Sequence, residues 1–149
     1  MIRAFTVLAL SMAAPAIAQT DSPWLDWVVE NSPHGFDITS DGTIWINVYD
    51  PGLIDDYAIR AEDLKAARDA QNKNPSFWIR GYHKRNQKVA YRESKVRFYL
   101  DCKNEMMGTS TSAYYDADGS LLSRSGTSSS QYIIPGTYGA EFFRLFCLL

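Results

Sequence analysis

Residues 95–102 alternate between polar and apolar side chains, and this segment constrains the fold more than any other part of the chain. A period of two is the spacing of a β-strand that buries one face and exposes the other. The apolar side consists of Val96, Phe98, Leu100 and Cys102, and the polar side of Lys95, Arg97, Tyr99 and Asp101. We therefore expect a strand of an antiparallel sheet, with the Cys102 side chain facing the core.

The end of the sequence favours a helix. Thr137 suits the N-cap position and Glu141 falls in the first turn, where a negative charge is stabilising. Apolar residues then recur at helical spacing, at Phe142, Leu145, Phe146 and Leu149. Strand and helix together predict an α+β, mainly β domain, in which the terminal helix covers one face of an antiparallel sheet.

The first 18 residues have the pattern of a secretory signal peptide. Arg3 precedes an apolar stretch that ends at Pro15, and Ala16-Ile17-Ala18 supplies the small residues of a cleavage site. The stretch is shorter than the roughly 20 apolar residues that a membrane-spanning helix needs. We expect cleavage after Ala18, export to the periplasm, the outer surface or the medium, and one domain over residues 19–149 without a membrane span.

Cys102 and Cys147 are the two cysteines of the chain. In an oxidising compartment an even count favours a disulfide, which would pin the terminal helix to the sheet unless the bonds are intermolecular. Closing a loop of roughly 45 residues stabilises a domain by about 3 to 4 kcal/mol in the chain-entropy model. A catalytic thiol is the less favoured alternative, because neither cysteine has a C-x-x-C partner or a neighbouring His.

Most of the remaining sequence predicts strands joined by turns. We expect β elements from short apolar runs at 24–29 and 36–38, strands at 43–49, 77–83, 106–115 and 132–134, and a hairpin turn at 116–119. The turn sequence D-x-D-G also begins some calcium loops, but the further ligands of such a loop are missing. The Ser-rich stretch 123–130 predicts an exposed loop or strand.

Residues 61–71 are strong helix formers with little apolar content. We expect them to form a helix on the surface, as a lid or crossover, rather than a core helix.

Motifs of catalysis are absent from the sequence. The two histidines, His34 and His83, belong to no zinc-binding spacing, and the chain has neither a G-x-S-x-G elbow nor a Gly-rich phosphate loop. Its formal net charge of −2 argues against nucleic-acid binding, which requires clustered basic residues. We therefore expect no enzymatic activity, no metal and no cofactor.

Candidate partner-binding residues come from two groups. Trp45 and Tyr99 lie opposite the aliphatic alternation of their strands, which predicts exposure on a sheet, and exposed Trp and Tyr are typical of protein-binding surfaces. Half-buried sheet packing is the alternative for each. The second group comes from a run of basic residues that also includes Arg80, Lys95 and Arg97, and its candidates are Lys84, Arg85, Lys88 and Arg92. A solvated loop is the favoured interpretation of that run, and a weak site for an anionic partner is the alternative.

Several motifs, read in order, resemble the surface-adhesin protein E family. They are Tyr49-Asp50-Pro51, Phe77-Trp78-Ile79-Arg80, Asp101-Cys102-Lys103, Tyr114-Tyr115-Asp116-Ala117-Asp118-Gly119, Ile134-Pro135-Gly136-Thr137 and Phe143-Arg144-Leu145-Phe146-Cys147. A cysteine at the end of a strand, a Y-Y-D-x-D-G hairpin, and a short helix that closes with a second cysteine form the most specific part.

The resemblance implies about six antiparallel strands with the terminal helix packed on them, and a disulfide between Cys102 and Cys147. It also implies an exported protein of Gram-negative bacteria that binds extracellular-matrix or serum proteins and forms a homodimer in some members. The leading hypothesis is thus a non-enzymatic binding protein with a protein partner. The alternative is a soluble periplasmic accessory or stress-related protein that binds an envelope partner or a small ligand.

Overall fold

The computed structural model of the protein describes residues 23–48, 55–70 and 73–148. The predicted signal peptide and the Tyr49-Asp50-Pro51 motif lie outside these residues. The elements in chain order are α1 (Pro23–Glu30), β1 (Phe36–Ile38), β2 (Ile44–Val48), β3 (Asp56–Arg60), α2 (Ala61–Ala70), β4 (Ser76–Tyr82), β5 (Glu93–Asp101), β6 (Met106–Tyr115), β7 (Leu121–Ser125), β8 (Gln131–Tyr132) and α3 (Tyr138–Cys147).

The strands form one antiparallel sheet in the order β1-β2-β3-β4-β5-β6-β7, and β8 pairs with the first residues of β6. The α+β, mainly β class is confirmed. Six strands have five residues or more, and β1 and β8 are short additions of three and two residues. The predicted turn at 116–119 is confirmed, with Gly119 at a φ of 87° and the Asp116 carboxylate accepting a hydrogen bond from the Ser120 N–H.

One face of the sheet, which we call the inner face, carries the core. Its side chains come from alternate positions of the strands: Ile44 and Ile46 of β2, Ile59 of β3, Phe77 and Ile79 of β4, and Leu100 of β5. Val28 of α1, Leu64 of α2, and Phe142 and Phe146 of α3 belong to the same buried cluster. All three described helices therefore pack on the inner face.

The terminal helix is attached to the sheet by aromatic packing and by a covalent bond. The Phe146 ring stacks on Phe77 with centroids 4.0 Å apart, and the Phe142 ring meets Phe77 edge-on at 5.5 Å. The Cys102–Cys147 disulfide joins the end of β5 to the end of α3, with 5.4 Å between the Cα atoms. The predicted disulfide and the docked helix are confirmed.

The expectation of a β element at 24–29 is wrong, since residues 23–30 form α1. Pro23 occupies the first helical position, where its missing N–H costs nothing. Trp24 and Trp27 are three residues apart, and their rings stack at 5.4 Å in the helix. A short run that is apolar at nearly every position has no clear period, so its length and spacing could not separate strand from helix.

The predicted helix at 61–71 is confirmed as the crossover α2 between β3 and β4, but the expectation that it contributes nothing to the core is wrong, because Ala61, Leu64 and Ala67 are buried on one side of it. Small alanines on that side let the helix approach the sheet closely. Asp63 fixes its first turn by accepting hydrogen bonds from Arg60 Nε at 2.9 Å and from the Trp78 backbone N–H at 2.8 Å. The helix thus links β3 to β4 while it covers the inner face.

Removal of the disulfide tests how the terminal helix is held. We expect the double variant Cys102→Ser/Cys147→Ser to lose about 3 to 4 kcal/mol in free energy of unfolding, because its unfolded chain regains the entropy of an open loop. Urea denaturation followed by circular dichroism measures this loss. Thiol reductant serves as the control, since it should destabilise the wild type by a similar amount and leave the double variant unchanged. Equal stability of wild type and variant would contradict the assignment.

Candidate functional site

The other face of the sheet, which we call the outer face, carries no helix of the described residues. A cleft of about 670 Å³ lies on it, between the β1–β2 hairpin and the β6–β7 turn. Its floor is made by outward-facing side chains of four neighbouring or nearby strands: Trp45 of β2, Arg80 and Tyr82 of β4, Glu93 and Lys95 of β5, and Tyr115 of β6. A cleft of this size is a candidate binding site.

Strand alternation and register bring charged residues together on the floor. Arg80 stands directly opposite Lys95 across β4 and β5, and like charges at this spacing repel. The Glu93 carboxylate lies between them, 3.2 Å from Arg80 Nε and 3.7 Å from Lys95 Nζ. One carboxylate therefore serves two cations, and the cluster keeps an excess of one positive charge. Lys95 has 40% of its side chain exposed, against 15% for Arg80.

Each of the two cations also lies near an aromatic ring. The Arg80 guanidinium lies 4.5 Å from the Tyr82 ring centroid, and Lys95 Nζ lies 5.5 Å from that of Tyr115. Burial raises the pKa of Tyr82, the Arg80 charge opposes that effect, and the net pKa is above the ordinary value. Tyr82 thus stays neutral at physiological pH and presents a hydroxyl and a partly exposed ring. Rings of this kind with a polar tip suit protein contacts.

The β1–β2 hairpin forms one rim of the cleft and is held by Asp41. Its carboxylate accepts hydrogen bonds from Thr39 Oγ1 at 2.5 Å and from the Thr43 backbone N–H at 3.0 Å. These bonds lower the pKa of Asp41 from 3.8 to about 2. The rim is therefore negatively charged at every physiological pH, and Asp37 adds a second negative charge to the lining of the cleft beside the cluster of Arg80, Glu93 and Lys95.

The basic residues of the sequence hypothesis share one loop, between β4 and β5, which we call the basic loop (residues 83–92). Lys84, Arg85 and Lys88 are exposed. Lys84 Nζ lies 5.5 Å from the Tyr82 ring, so the loop continues the surface of the cleft. Arg92 differs from these three, because its guanidinium donates hydrogen bonds to the carbonyls of Val89 and Tyr91 and so stabilises the loop itself.

The predicted exposure of Trp45 is wrong. Trp45 does lie on the outer face, but only 5% of it is accessible. It is flanked by Asp37 and Arg60 on the neighbouring strands, and the Arg80 guanidinium lies over its ring at 5.9 Å. Long arginine side chains cover apolar surface with their stems. Trp45 therefore supports the floor of the cleft and offers little contact area.

Tyr99 is half-buried and lies away from the cleft. Its hydroxyl donates to the Ser128 carbonyl at 3.1 Å and lies 3.0 Å from Ser130 Oγ. Its ring crosses Gly108 on β6, where a Cβ would come within 2.3 Å of the Tyr99 oxygen. The structure thus uses Tyr99 to hold the Ser-rich stretch onto the sheet.

Sequence reasoning did not select Tyr82, Glu93 or Tyr115 as candidates, and it named Arg80 and Lys95 only as members of the basic cluster. Alternation in 77–83 and 95–102 places Arg80 and Lys95 on the polar side of their strands. Their pairing depends on register, which follows from long-range contacts. Among residues 23–48, 55–70 and 73–148, no group of three His, Cys, Asp or Glu side chains is placed to hold a metal ion. No helix in the same ranges has the length and apolar character to span a membrane.

The model of the surface-adhesin protein E family matches residues 57–148, more than half of the chain. The chain belongs to this family. The adhesin E match begins in β3 and runs to the end of α3, so it includes the basic residues of the floor, the basic loop and both cysteines, while α1 and the rim hairpin precede it. No curated protein and no solved structure gave a significant match. Membership supports a surface-adhesin-like binding protein that is exported or surface-located.

Titration of Asp41 tests the geometry of the rim. We expect a pKa of about 2 by NMR, and a rise toward 3.8 in Thr39→Val, which removes the hydroxyl donor. Because the folded pKa is depressed, the stability from these bonds is present above pH 3.8 and is lost as the pH falls through about 2. The control Thr111→Val removes a hydroxyl from the outer face on another strand, β6, and should leave the Asp41 pKa unchanged. An ordinary pKa in the wild type would contradict this structure of the hairpin.

Proposed function

We propose that this adhesin E-like protein is an exported, non-enzymatic binding protein that recognises protein partners through the outer face and the basic loop. Extracellular-matrix and serum proteins are the class of partner we propose first. The observation that carries the proposal is the cluster on the floor of the cleft in which Arg80 and Lys95 share the single carboxylate of Glu93.

This pair of cations gives its part of the cleft a preference for acidic segments. A partner carboxylate beside Lys95 would supply the second negative charge that the pair of cations lacks. Such a contact would be charge-assisted and partly shielded from water, so it is stronger than an ordinary surface ion pair. The negative rim at Asp41 would disfavour carboxylates bound elsewhere in the cleft and so restrict the orientation of the partner.

The basic loop extends the same preference. Lys84 and Lys88 are exposed, and Arg85 has only a weak contact with Asp56 at 3.6 Å, with both side chains about 70% exposed. Exposed charges of one sign steer an oppositely charged partner and mainly raise the association rate. Tyr82, between the loop and the floor, joins the two basic regions into one surface.

Export through a signal peptide cleaved after Ala18, with a single mature domain over 19–149, forms part of the proposal. Homodimer formation stays a prediction.

Binding of the mature protein to immobilised extracellular-matrix and serum proteins tests the proposal. Of these proteins, we take the one that the wild type binds. We expect the double variant Lys84→Glu/Lys88→Glu to bind it roughly three- to tenfold more weakly, mainly because association is slower. The variant should also lose the salt dependence of the wild-type association rate. Surface plasmon resonance at several salt concentrations gives both rates.

The matched control is Lys73→Glu/Lys103→Glu, which changes the net charge by the same amount. Both control residues are exposed and lie beside Cys102, at the other end of β5. Equal loss of binding in the two double variants would show a general charge effect and contradict the proposed face. Absence of saturable binding to every matrix and serum protein would contradict the proposed class of partner.

A further inference from the structure

Three polar side chains meet on the inner side of the sheet: Asp55 just before β3, His83 at the start of the basic loop after β4, and Ser94 of β5. His83 Nε2 lies 2.9 Å from Ser94 Oγ, and His83 Nδ1 lies 3.0 Å from Asp55 Oδ2. His83 and Ser94 are only 4% and 5% exposed. Burying polar side chains among aromatic residues costs free energy unless hydrogen bonds compensate for the lost water, so packing alone does not explain this cluster.

The backbone is shaped to hold the cluster. Gly81 lies on the inner face of β4, directly opposite Ser94. A Cβ at Gly81 would come within 2.7 Å of Ser94 Oγ and 2.9 Å of His83 Nε2. Any larger residue there would displace the hydrogen-bonded pair, so the space over Gly81 is part of the site.

A cavity of about 360 Å³ adjoins the pair. Ser94 and His83 line it, and most of its other lining side chains are aromatic or aliphatic, namely four tyrosines together with Ile79, Val96, Phe98, Met107 and Phe142. Thr137 also lines the cavity and is exposed, so the cavity reaches the surface beside the first turn of α3. A largely aromatic and aliphatic lining with a few polar groups is typical of small-molecule sites.

Charge fixes the direction of the hydrogen bond. Burial alone would raise the pKa of Asp55, but a hydrogen bond from the Asn86 side chain and the His83 ring beside the carboxylate outweigh that effect and hold the pKa below its ordinary value. The Asp55 carboxylate beside Nδ1 favours the proton on that nitrogen, although the contact is not aligned as a linear hydrogen bond. Nε2 then accepts from the Ser94 hydroxyl, and a lone pair of Ser94 Oγ is left to accept a bond from a ligand.

The same three residue types form the triad of serine hydrolases, yet the position of Ser94 argues against acyl transfer. Ser94 lies within a strand that has partners on both sides, Gly81 on β4 and Tyr114 on β6. The backbone N–H groups of Ser94 and Lys95 are therefore used by the sheet and cannot form an oxyanion hole. Binding, rather than nucleophilic attack, suits this geometry.

We infer that the cavity binds a small, planar, apolar molecule with one hydrogen-bond donor, of the phenol class. The ring lies among the aromatic walls and the thioether of Met107, contacts that favour another aromatic ring. The hydroxyl donates to Ser94 Oγ. This site is on the opposite side of the sheet from the cleft, and it does not depend on partner binding at the outer face.

Two probes that differ in one donor test the inference on the unaltered protein. Titration with p-cresol and with its methyl ether, 4-methylanisole, is followed by NMR. We expect saturable binding of both, with p-cresol about three- to tenfold tighter, which is the factor of one neutral hydrogen bond. Shifts should concentrate at Ser94, Met107 and Phe142. Equal affinities, or no saturable binding of p-cresol, would overturn the inference.

The variant Ser94→Ala tests whether Ser94 Oγ accepts the hydrogen bond from the p-cresol hydroxyl. It should weaken p-cresol binding by the same factor and leave the affinity for 4-methylanisole unchanged, which also shows that the cavity is intact. Ser76→Ala, the same substitution at an exposed site on β4, is the matched control and should bind both probes as the wild type does. A Ser94→Ala protein that still prefers p-cresol would overturn the assigned contact, and if this variant fails to fold, the comparison of probes on the wild type decides.

Discussion

The attachment of α3 to the inner face is the constraint on which the rest of the structure depends. Phe142 and Phe146 of the helix meet Phe77 of β4 in one aromatic cluster, and the Cys102–Cys147 disulfide closes the same contact covalently. A single sheet has two faces, and a small domain gains stability only when at least one is covered. Since α1 and α2 join α3 on the inner face, these helices leave the outer face uncovered, and the cleft lies there.

Adjacent residues of the two central strands serve opposite sides of the sheet. On β4, Arg80 and Tyr82 form the floor of the cleft, while Gly81 between them makes room for the buried histidine. On β5, Glu93 and Lys95 face outward and Ser94 faces inward. Strand alternation thus lets one hairpin, with the basic loop at its tip, carry both a charged surface for a macromolecule and an apolar cavity for a small one. A change in the register of this hairpin would alter both sites.

Local pattern was sufficient to predict β5, α3, the hairpin turn at 116–119 and, with the export signal, the disulfide. It failed where the outcome depends on distant residues. Trp45 is buried because Arg80 of another strand covers it, and the role of Tyr99 depends on Gly108 and the Ser-rich stretch. The cluster of Asp55, His83 and Ser94 combines three segments whose proximity no spacing along the chain encodes. Helix α1 was mistaken for a β element because a short, nearly continuous apolar run has no clear period.

The central claim is that partners bind the outer face rather than the helix-covered side. Acylation of lysines with an amine-reactive ester, measured by mass spectrometry with and without a bound matrix or serum protein, tests it most directly. The account predicts slower acylation of Lys84, Lys88 and Lys95 in the complex, with Lys65 of α2 and Lys103 beside Cys102 unchanged. Protection of Lys65 with continued reaction of Lys84 and Lys95 would place the partner on the side of the helices and contradict the account.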